Sequence, residues 1–246
     1  MHASDAAAAV SAVAVTAQAA CALLLALTFS YLSRVPRVPA RNDLRRWALA
    51  WFCLLIAILA LRAYIAFGGR AFWVVYLVAE WYFLAYLLIG CGELARGGLE
   101  EERRPTQWRR LLVPGLPAAA ILAGTVVPFF DDFDLLFALQ AAVLAAGFAA
   151  AFLVLGRAPA ARRTVGFHLM RLALAWLTVQ FLLYVPLHLV EGLRRLAGEV
   201  PRFAWLGYSS LADLCAQLVL AIGMFLVAAH GRTPDVQKSG PRLRES

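Results

Sequence analysis

Residues 45–67 read RRWALAWFCLLIAILALRAYIAF, and this run decides the class of fold. Two arginines open it, and Arg62 is the only charge in the apolar stretch that follows. An α-helix rises ~1.5 Å per residue, so about twenty apolar residues cross the ~30 Å hydrocarbon core of a bilayer. Similar runs recur along the chain, with helices expected at 6–32, 47–67, 71–94, 111–129, 135–155, 165–190 and 203–229. They predict an all-α polytopic membrane protein: a seven-helix transmembrane domain over residues 1–232 and a flexible cytoplasmic tail over 233–246.

The bulk composition demands the same solvent. Of 246 residues, 63% are hydrophobic and 15% charged, with a mean hydropathy of +0.74. Soluble domains average ~45–50% apolar and ~25% charged residues. A soluble fold of this length cannot hide so much apolar surface, so the excess is expected to face lipid. Met1–Asp5 carries no basic segment, so the first helix reads as a span and not as a signal peptide. Cys21, Cys53, Cys91 and Cys215 lie in apolar runs without a CxxC pair, which predicts neither a disulfide framework nor a zinc site. Trp47, Trp51, Trp73, Trp81, Trp108 and Trp205 are expected to form an aromatic belt at the interfaces.

The net charge of +8 invites a nucleic-acid partner, but its distribution argues for membrane topology. Arg34, Arg37, Arg41, Arg45 and Arg46 precede the second helix. Arg96, Arg103, Arg104, Arg109 and Arg110 precede the fourth, and Arg157, Arg162 and Arg163 the sixth. With Arg232, Lys238, Arg242 and Arg244 of the tail, one face collects 17 basic residues. Arg70, Arg194, Arg195 and Arg202 give the other face 4. The positive-inside rule then predicts an N-terminus outside and a C-terminus in the cytoplasm. Arginine outnumbers lysine 22 to 1, which fits a GC-rich bacterial genome and a cell (inner) membrane. The arginine face is expected to meet anionic lipids and a protein partner, and no nucleic acid.

Three motif pairs predict an internal repeat. Leu32–Pro36 and Leu155–Pro159 both read L-x-R-x-P, offset by 123. Arg46–Trp51 and Arg171–Trp176 both read R-x-A-L-A-W, offset by 125. Glu80 precedes Gly90 as Asp213 precedes Gly223, offset by 133. Two parallel triplets joined by the fourth helix, a three-one-three repeat, follow from that order.

Ionisable groups inside a membrane usually face the bundle interior or a wet cavity. Counting ~1.5 Å per residue puts Glu80 and Asp213 about 13–16 Å, and Arg62 about 8 Å, below the outer face. Gln180, His188, Tyr76, Tyr184 and Tyr208 fall in the same half. These eight are the candidates for an outer polar, ligand-binding pocket, with Arg62 expected to offset the acids. Bonds to neighbouring helices and a snorkelling Arg62 are the plainer alternative. On the cytoplasmic side Arg45, Arg46, Arg103, Arg104, His168 and Arg171 are candidates for partner or lipid contact, and His168 and Arg171 share a helix face. The only lysine, Lys238, lies in the tail, so no span offers a retinal lysine. No Walker loop, G-x-G-x-x-G or G-x-S-x-G is present. Neither enzyme activity, a catalytic residue, a cofactor nor a metal is expected.

R-R-W-A-L-A-W-F at Arg45–Phe52 follows a basic loop, L-L-I-G-C-G-E-L at Leu87–Leu94 ends the third helix, and I-G-M-F-L-V at Ile222–Val227 lies near the end of the seventh. This layout resembles the seven-helix N-terminal sensor regions of bacterial histidine kinases and GGDEF cyclases. The resemblance implies a sensory membrane module. His230-Gly231-Arg232-Thr233-Pro234 departs from the family by breaking the helix, so an output domain is not expected and signalling is expected to pass through partners. Two other functions suit the pattern: a small-solute or proton-coupled transporter, and a structural subunit of a membrane complex.

Overall fold

The computed structural model describes residues 3–35, 42–96, 106–130, 132–159, 163–199 and 209–230. The described residues form seven α-helices: α1 (Ala3–Leu32), α2 (Asn42–Phe67), α3 (Arg70–Arg96), α4 (Thr106–Val126), α5 (Phe133–Gly156), α6 (Val165–Leu196) and α7 (Ser209–His230). A single 3-10 turn, Val127–Phe129, follows α4, where Pro128 cannot donate the next helical hydrogen bond. The protein is thus an all-α, polytopic membrane protein.

Among the described residues six helices are long and apolar enough to cross a membrane: Val10–Leu32, Asp43–Phe67, Arg70–Arg96, Phe133–Gly156, Val165–Leu196 and Ser209–Ala229. The fourth contributes only a shorter apolar helix, Pro117–Phe129. Seven spans were the expectation; among the described residues six helices meet it, and the apolar stretch Pro117–Phe129 lies within the fourth, expected at 111–129. The tail 233–246 and the expected start of the last helix at 203–208 lie outside the described residues.

Several helices outrun their expected ends for local reasons. Helix α2 starts at Asn42, where Asp43 in its first turn suits the positive end of the helix dipole and Leu44 is buried. Helix α6 runs on to Leu196 because Arg194 and Arg195 sit well at a helix C-terminus. It ends where Gly198 takes φ +77° and its N–H reaches the Arg195 carbonyl at 2.9 Å. At ~1.5 Å per residue its 32 residues make a rod of about 48 Å, well beyond the hydrocarbon thickness. Gly68 and Gly69, at φ +67° and +102°, supply the left-handed backbone that turns α2 directly into α3.

The helices follow one another around a ring. α1 packs on α2, α2 on α3, α3 on α5, α5 on α6, α6 on α7, and α7 returns to α1. α4 stands outside the ring against α3. It runs antiparallel to it, with Gly115 level with Tyr82, and Ala123 and Val127 in the cluster of Trp73, Tyr76 and Leu77. The larger apolar core gathers Phe29, Trp47, Trp51, Leu87, Phe148, Phe167, Met170 and Leu174. The smaller one, toward the Gly68 turn, holds Trp73, Tyr76, Leu77 and Leu136 with Tyr64 and Phe133 beside them. Outward faces are apolar as well: Val179, Leu182 and Leu183 are each more than half exposed, as a lipid-facing helix requires.

Trp47, Trp51 and Trp73 do not form an interfacial belt. They are 0%, 1% and 3% exposed and fill the core, where Trp47 meets Phe29 edge-on at 5.8 Å. Helix α3 presents Gly90 to Trp47, so an indole rather than lipid faces that position. Of the four free cysteines only Cys91 is buried, and Cys215 is exposed.

The closest helix approach joins α6 and α7. A Cβ built on Gly166 meets the Gly223 carbonyl oxygen at 2.7 Å and Val227 N at 2.8 Å, and one on Gly223 meets Met170 N at 2.8 Å. Backbone cannot give way as a flexible side-chain tip can. Gly166→Ala is therefore expected to cost about 1–3 kcal/mol. Gly124→Ala, with nothing within 4 Å of its Cβ, is expected to be neutral or mildly stabilising. Thermal unfolding of the two variants in detergent checks the contrast.

Candidate functional site

A layer of polar side chains crosses the bundle at the depth of Glu80. On α3 the Glu80 carboxylate accepts from Gln140 Nε2 on α5 at 2.7 Å. Gln140 is 2% exposed, and its Oε1 accepts from Trp81 Nε1 at 2.8 Å. The Tyr76 hydroxyl, one turn from Glu80 on α3, also bonds that carboxylate. The amide thus bridges two groups of α3 from the neighbouring helix.

Asp213 on α7 has its own set. Its Oδ1 accepts from Gln180 Nε2 at 2.5 Å and from the Tyr184 hydroxyl at 3.3 Å, both on α6. Gln180 Nε2 also lies 2.5 Å from the Tyr184 hydroxyl, which in turn reaches the Ser209 carbonyl at 3.2 Å. Both carboxyl groups are deep among protein atoms, yet both residues keep part of their surface accessible.

The expected eight-residue pocket divides. Glu80 and Tyr76 belong to the first set, with Gln140, and Gln180, Tyr184 and Asp213 to the second. Arg62 does not join them: its Nη2 donates to the Ala12 carbonyl at 2.7 Å and to Thr16 Oγ1 at 3.2 Å, both on α1. It therefore ties α2 to α1 and offsets neither acid. His188 belongs to a separate ionic cluster. Its Nδ1 lies 2.7 Å from Asp134 Oδ1, and Arg195 Nη1 lies 2.9 Å from Asp134 Oδ2 and 3.8 Å from Asp132 Oδ2. Asp132 also caps α5, accepting from Asp134 N at 2.7 Å. The acidic stretch is thereby drawn onto α6. Tyr208 lies outside the described residues.

The arginine face divides likewise. Arg46 Nε meets Glu93 Oε1 at 3.4 Å and ties α2 to α3. The Arg171 guanidinium stacks 4.5 Å over the Phe152 ring of α5, while His168 on the same helix is exposed and does not share that contact. Arg45 is exposed. Arg103 and Arg104 lie outside the described residues.

Gln140, Trp81, Asp134 and Glu191 were not expected at any site. A single amide in the otherwise apolar α5 was the available signal for Gln140. Glu191 is 1% exposed, and neither carboxylate oxygen has a hydrogen-bond partner. Its i,i+4 neighbour Arg195 is spent on Asp134 and Asp132 instead. An apolar groove between α1 and α7, lined by Cys21, Leu25, Thr28, Leu218, Ile222 and Phe225, contains none of the expected residues. Among the described residues no group of three or more His, Cys, Asp or Glu is placed to hold a metal ion.

Comparison of the chain with protein-family models, with curated proteins and with solved structures finds no match. Chemically, the polar layer offers two carboxyl groups, two amides and two phenols, all held between helices. Such a set can bind a cation or a proton and can pass strain from one helix to the next.

Two substitutions should move stability in opposite directions. Gln140→Leu removes partners from both Glu80 and Trp81 and is expected to lower the unfolding free energy by about 2–6 kcal/mol, at ~1–3 kcal/mol for each stranded group. Glu191→Met removes a buried carboxyl without partners and is expected to raise stability by about 1–3 kcal/mol. Unfolding of both variants in one detergent measures the signs.

Proposed function

We propose that the chain is a sensory or regulatory membrane module that converts a change at its core polar layer into a rearrangement read by partner proteins at its arginine-rich face. One observation carries this reading: each core carboxylate is held by a group on another helix. Gln140 of α5 holds Glu80 of α3, and Gln180 and Tyr184 of α6 hold Asp213 of α7. A change of charge or occupancy at either acid alters a helix–helix bond directly, so the input and the mechanical response share the same atoms. The layer has no chemistry that calls for catalysis, and we read the protein as a non-enzyme.

The charge bias supports a C-terminus in the cytoplasm, which puts the Gly68 turn and the Asp134–His188–Arg195 cluster outside. Arg45 and His168 then lie exposed toward the cytoplasm, where anionic lipid or a partner would meet them. The ring order favours the three-one-three organisation. A two-fold rotation along the bundle axis that exchanges α1–α3 with α5–α7 carries the α3–α5 contact onto the α7–α1 contact. Buried glutamines fall at both places: Gln140 of α5 against α3, and Gln18 of α1 bonding the Ser210 carbonyl of α7 at 3.2 Å. The likeness to the sensor regions of histidine kinases and cyclases remains one of motif and layout.

A transporter is the second reading, favoured by two acids within the spans, each held by neutral groups of a neighbouring helix. The test uses a cysteine-free variant in liposomes, with a single cysteine at position 45 or 168 and an impermeant maleimide. Glu80→Gln and Asp213→Asn are expected to change the labelling rate at these positions by about fivefold or more, the lower range of allosteric couplings. Unchanged labelling in both variants defeats the sensory reading. Saturable solute flux that either substitution abolishes decides for transport.

A further inference from the structure

The C-terminal end of α5 gathers arginines. Arg171 on α6 reaches Gly156, the last residue of α5. A Cβ built on that glycine meets the Arg171 guanidinium at 3.6 Å, and among the described residues no other neighbour outside α5 comes within 4 Å of it. Arg163 arrives at the same place. Its Nη2 donates to the Gly156 carbonyl at 3.5 Å and its Nε to the Ala158 carbonyl at 3.3 Å. Arg157, next in the chain, is exposed, as is Arg163, and Arg171 keeps part of its surface accessible. The space over Gly156 is thus bordered by guanidinium groups and otherwise open. It lies sixteen residues along α5 from Gln140, about 24 Å at ~1.5 Å per residue, and so stands apart from the polar layer.

These charges have no counter-charge. Among the described residues no carboxylate meets Arg157, Arg163 or Arg171. Arg171 has the fewest partners: its guanidinium stacks 4.5 Å over the Phe152 ring, and its Nε is buried without an acceptor. Arg46 makes the contrast. It opens the same R-x-A-L-A-W motif on α2, and there Glu93 of α3 meets its Nε at 3.4 Å. The offset of 133 that carries Glu80 to Asp213 carries Glu93 to Leu226, so the second motif has a leucine where the first has an acid. A guanidinium held flat on an aromatic ring keeps its remaining N–H groups in the planar fork that phosphate oxygens accept.

We propose that Arg171 and Arg163, over Gly156, bind the phosphomonoester headgroup of a membrane lipid, with Arg157 beside them. A phosphomonoester carries about −1.5 to −2 charges near neutral pH and three acceptor oxygens. That suits two unpaired guanidinium groups better than the single charge of a phosphodiester. The surroundings favour a lipid over a soluble phosphate. Leu153 on α5 and Val165 and Leu172 on α6 are each more than half exposed, so acyl chains meet apolar surface beside the headgroup. The site also belongs to the face that collects the basic residues, where anionic headgroups gather.

The test uses the full chain in detergent, titrated with short-chain phosphatidic acid, phosphatidylglycerol or phosphatidylcholine, with bound lipid counted by native mass spectrometry. The expected result is one tightly held phosphatidic acid per chain, with phosphatidylglycerol about tenfold weaker and phosphatidylcholine weaker still. Arg171→Gln and Arg163→Gln should each weaken phosphatidic acid binding about tenfold, the loss of one charge-assisted contact. Gly156→Leu, which fills the open space without removing a charge, should weaken it as well. Arg34→Gln, at an exposed arginine just past α1, should leave it unchanged. Melting temperatures check the fold of each variant. Equal affinity for phosphatidic acid and phosphatidylglycerol, or binding unaltered in the arginine and glycine variants, overturns the proposal. A thermal shift with inorganic phosphate that the arginine variants lose, with no lipid retained, assigns the site to free phosphate and overturns it too. A glutamate-rich peptide bound more tightly than phosphatidic acid, and lost in the same variants, overturns it in favour of a protein partner. If Arg171→Gln fails to fold, Arg163→Gln, Gly156→Leu and the comparison of lipids on the wild type decide.

Discussion

A polar side chain in the hydrocarbon layer can bond only to what the protein itself brings near, because no water competes and none rescues it. This constraint shapes the bundle more than any apolar contact. Lipid is as apolar as leucine, so burial of leucine alone does not choose one helix neighbour over another. Gln140, Gln180, Tyr184 and Arg62 do choose. Each reaches a defined acceptor on a particular helix, and together they tie α3 to α5, α6 to α7 and α2 to α1. Apolar packing then fills the space these bonds define, with Trp47 and Trp51 as its largest pieces.

The polar groups also separate by kind. Charge pairs with charge near the helix ends, in Arg46 with Glu93 and in Arg195 and His188 with Asp134. In the middle, acids meet only amides and phenols. Ends near water tolerate full ionic pairs because desolvation there is partial. Among the described residues, the acids in the middle have their hydrogen bonds met by neutral groups.

Helix positions were largely legible because length and hydropathy are properties of contiguous residues. Glu80 and Asp213 stood out by being ionisable in apolar runs, as did Gln180 and Tyr184 within one turn of each other. Partner choice was not legible. Arg62 lies at a depth that suits Glu80, yet it turns to the Ala12 carbonyl, because rotation of α2 about its axis sets the direction of its side chain. The tryptophans misled for a related reason. Sequence gives their depth along the helix but not whether they face lipid or a glycine such as Gly90. Asp134 lies one residue ahead of the fifth helix expected at 135–155, and only the extension of α6 to Leu196 brings Arg195 within its reach. Gln140 was overlooked because one amide among alanines and leucines carries no pattern.

The contact between Gly166 and Gly223 has a mechanical meaning. Backbones that touch leave no layer of side chains to slide or repack, so sliding of α6 past α7 is resisted at this point. The Gly68–Gly69 turn similarly binds α2 to α3 at one end. Four seams of the ring remain, α1 against α2, α3 against α5, α5 against α6 and α7 against α1. Buried glutamines latch the two of these that join the helix triplets, Gln140 between α5 and α3 and Gln18 between α1 and α7.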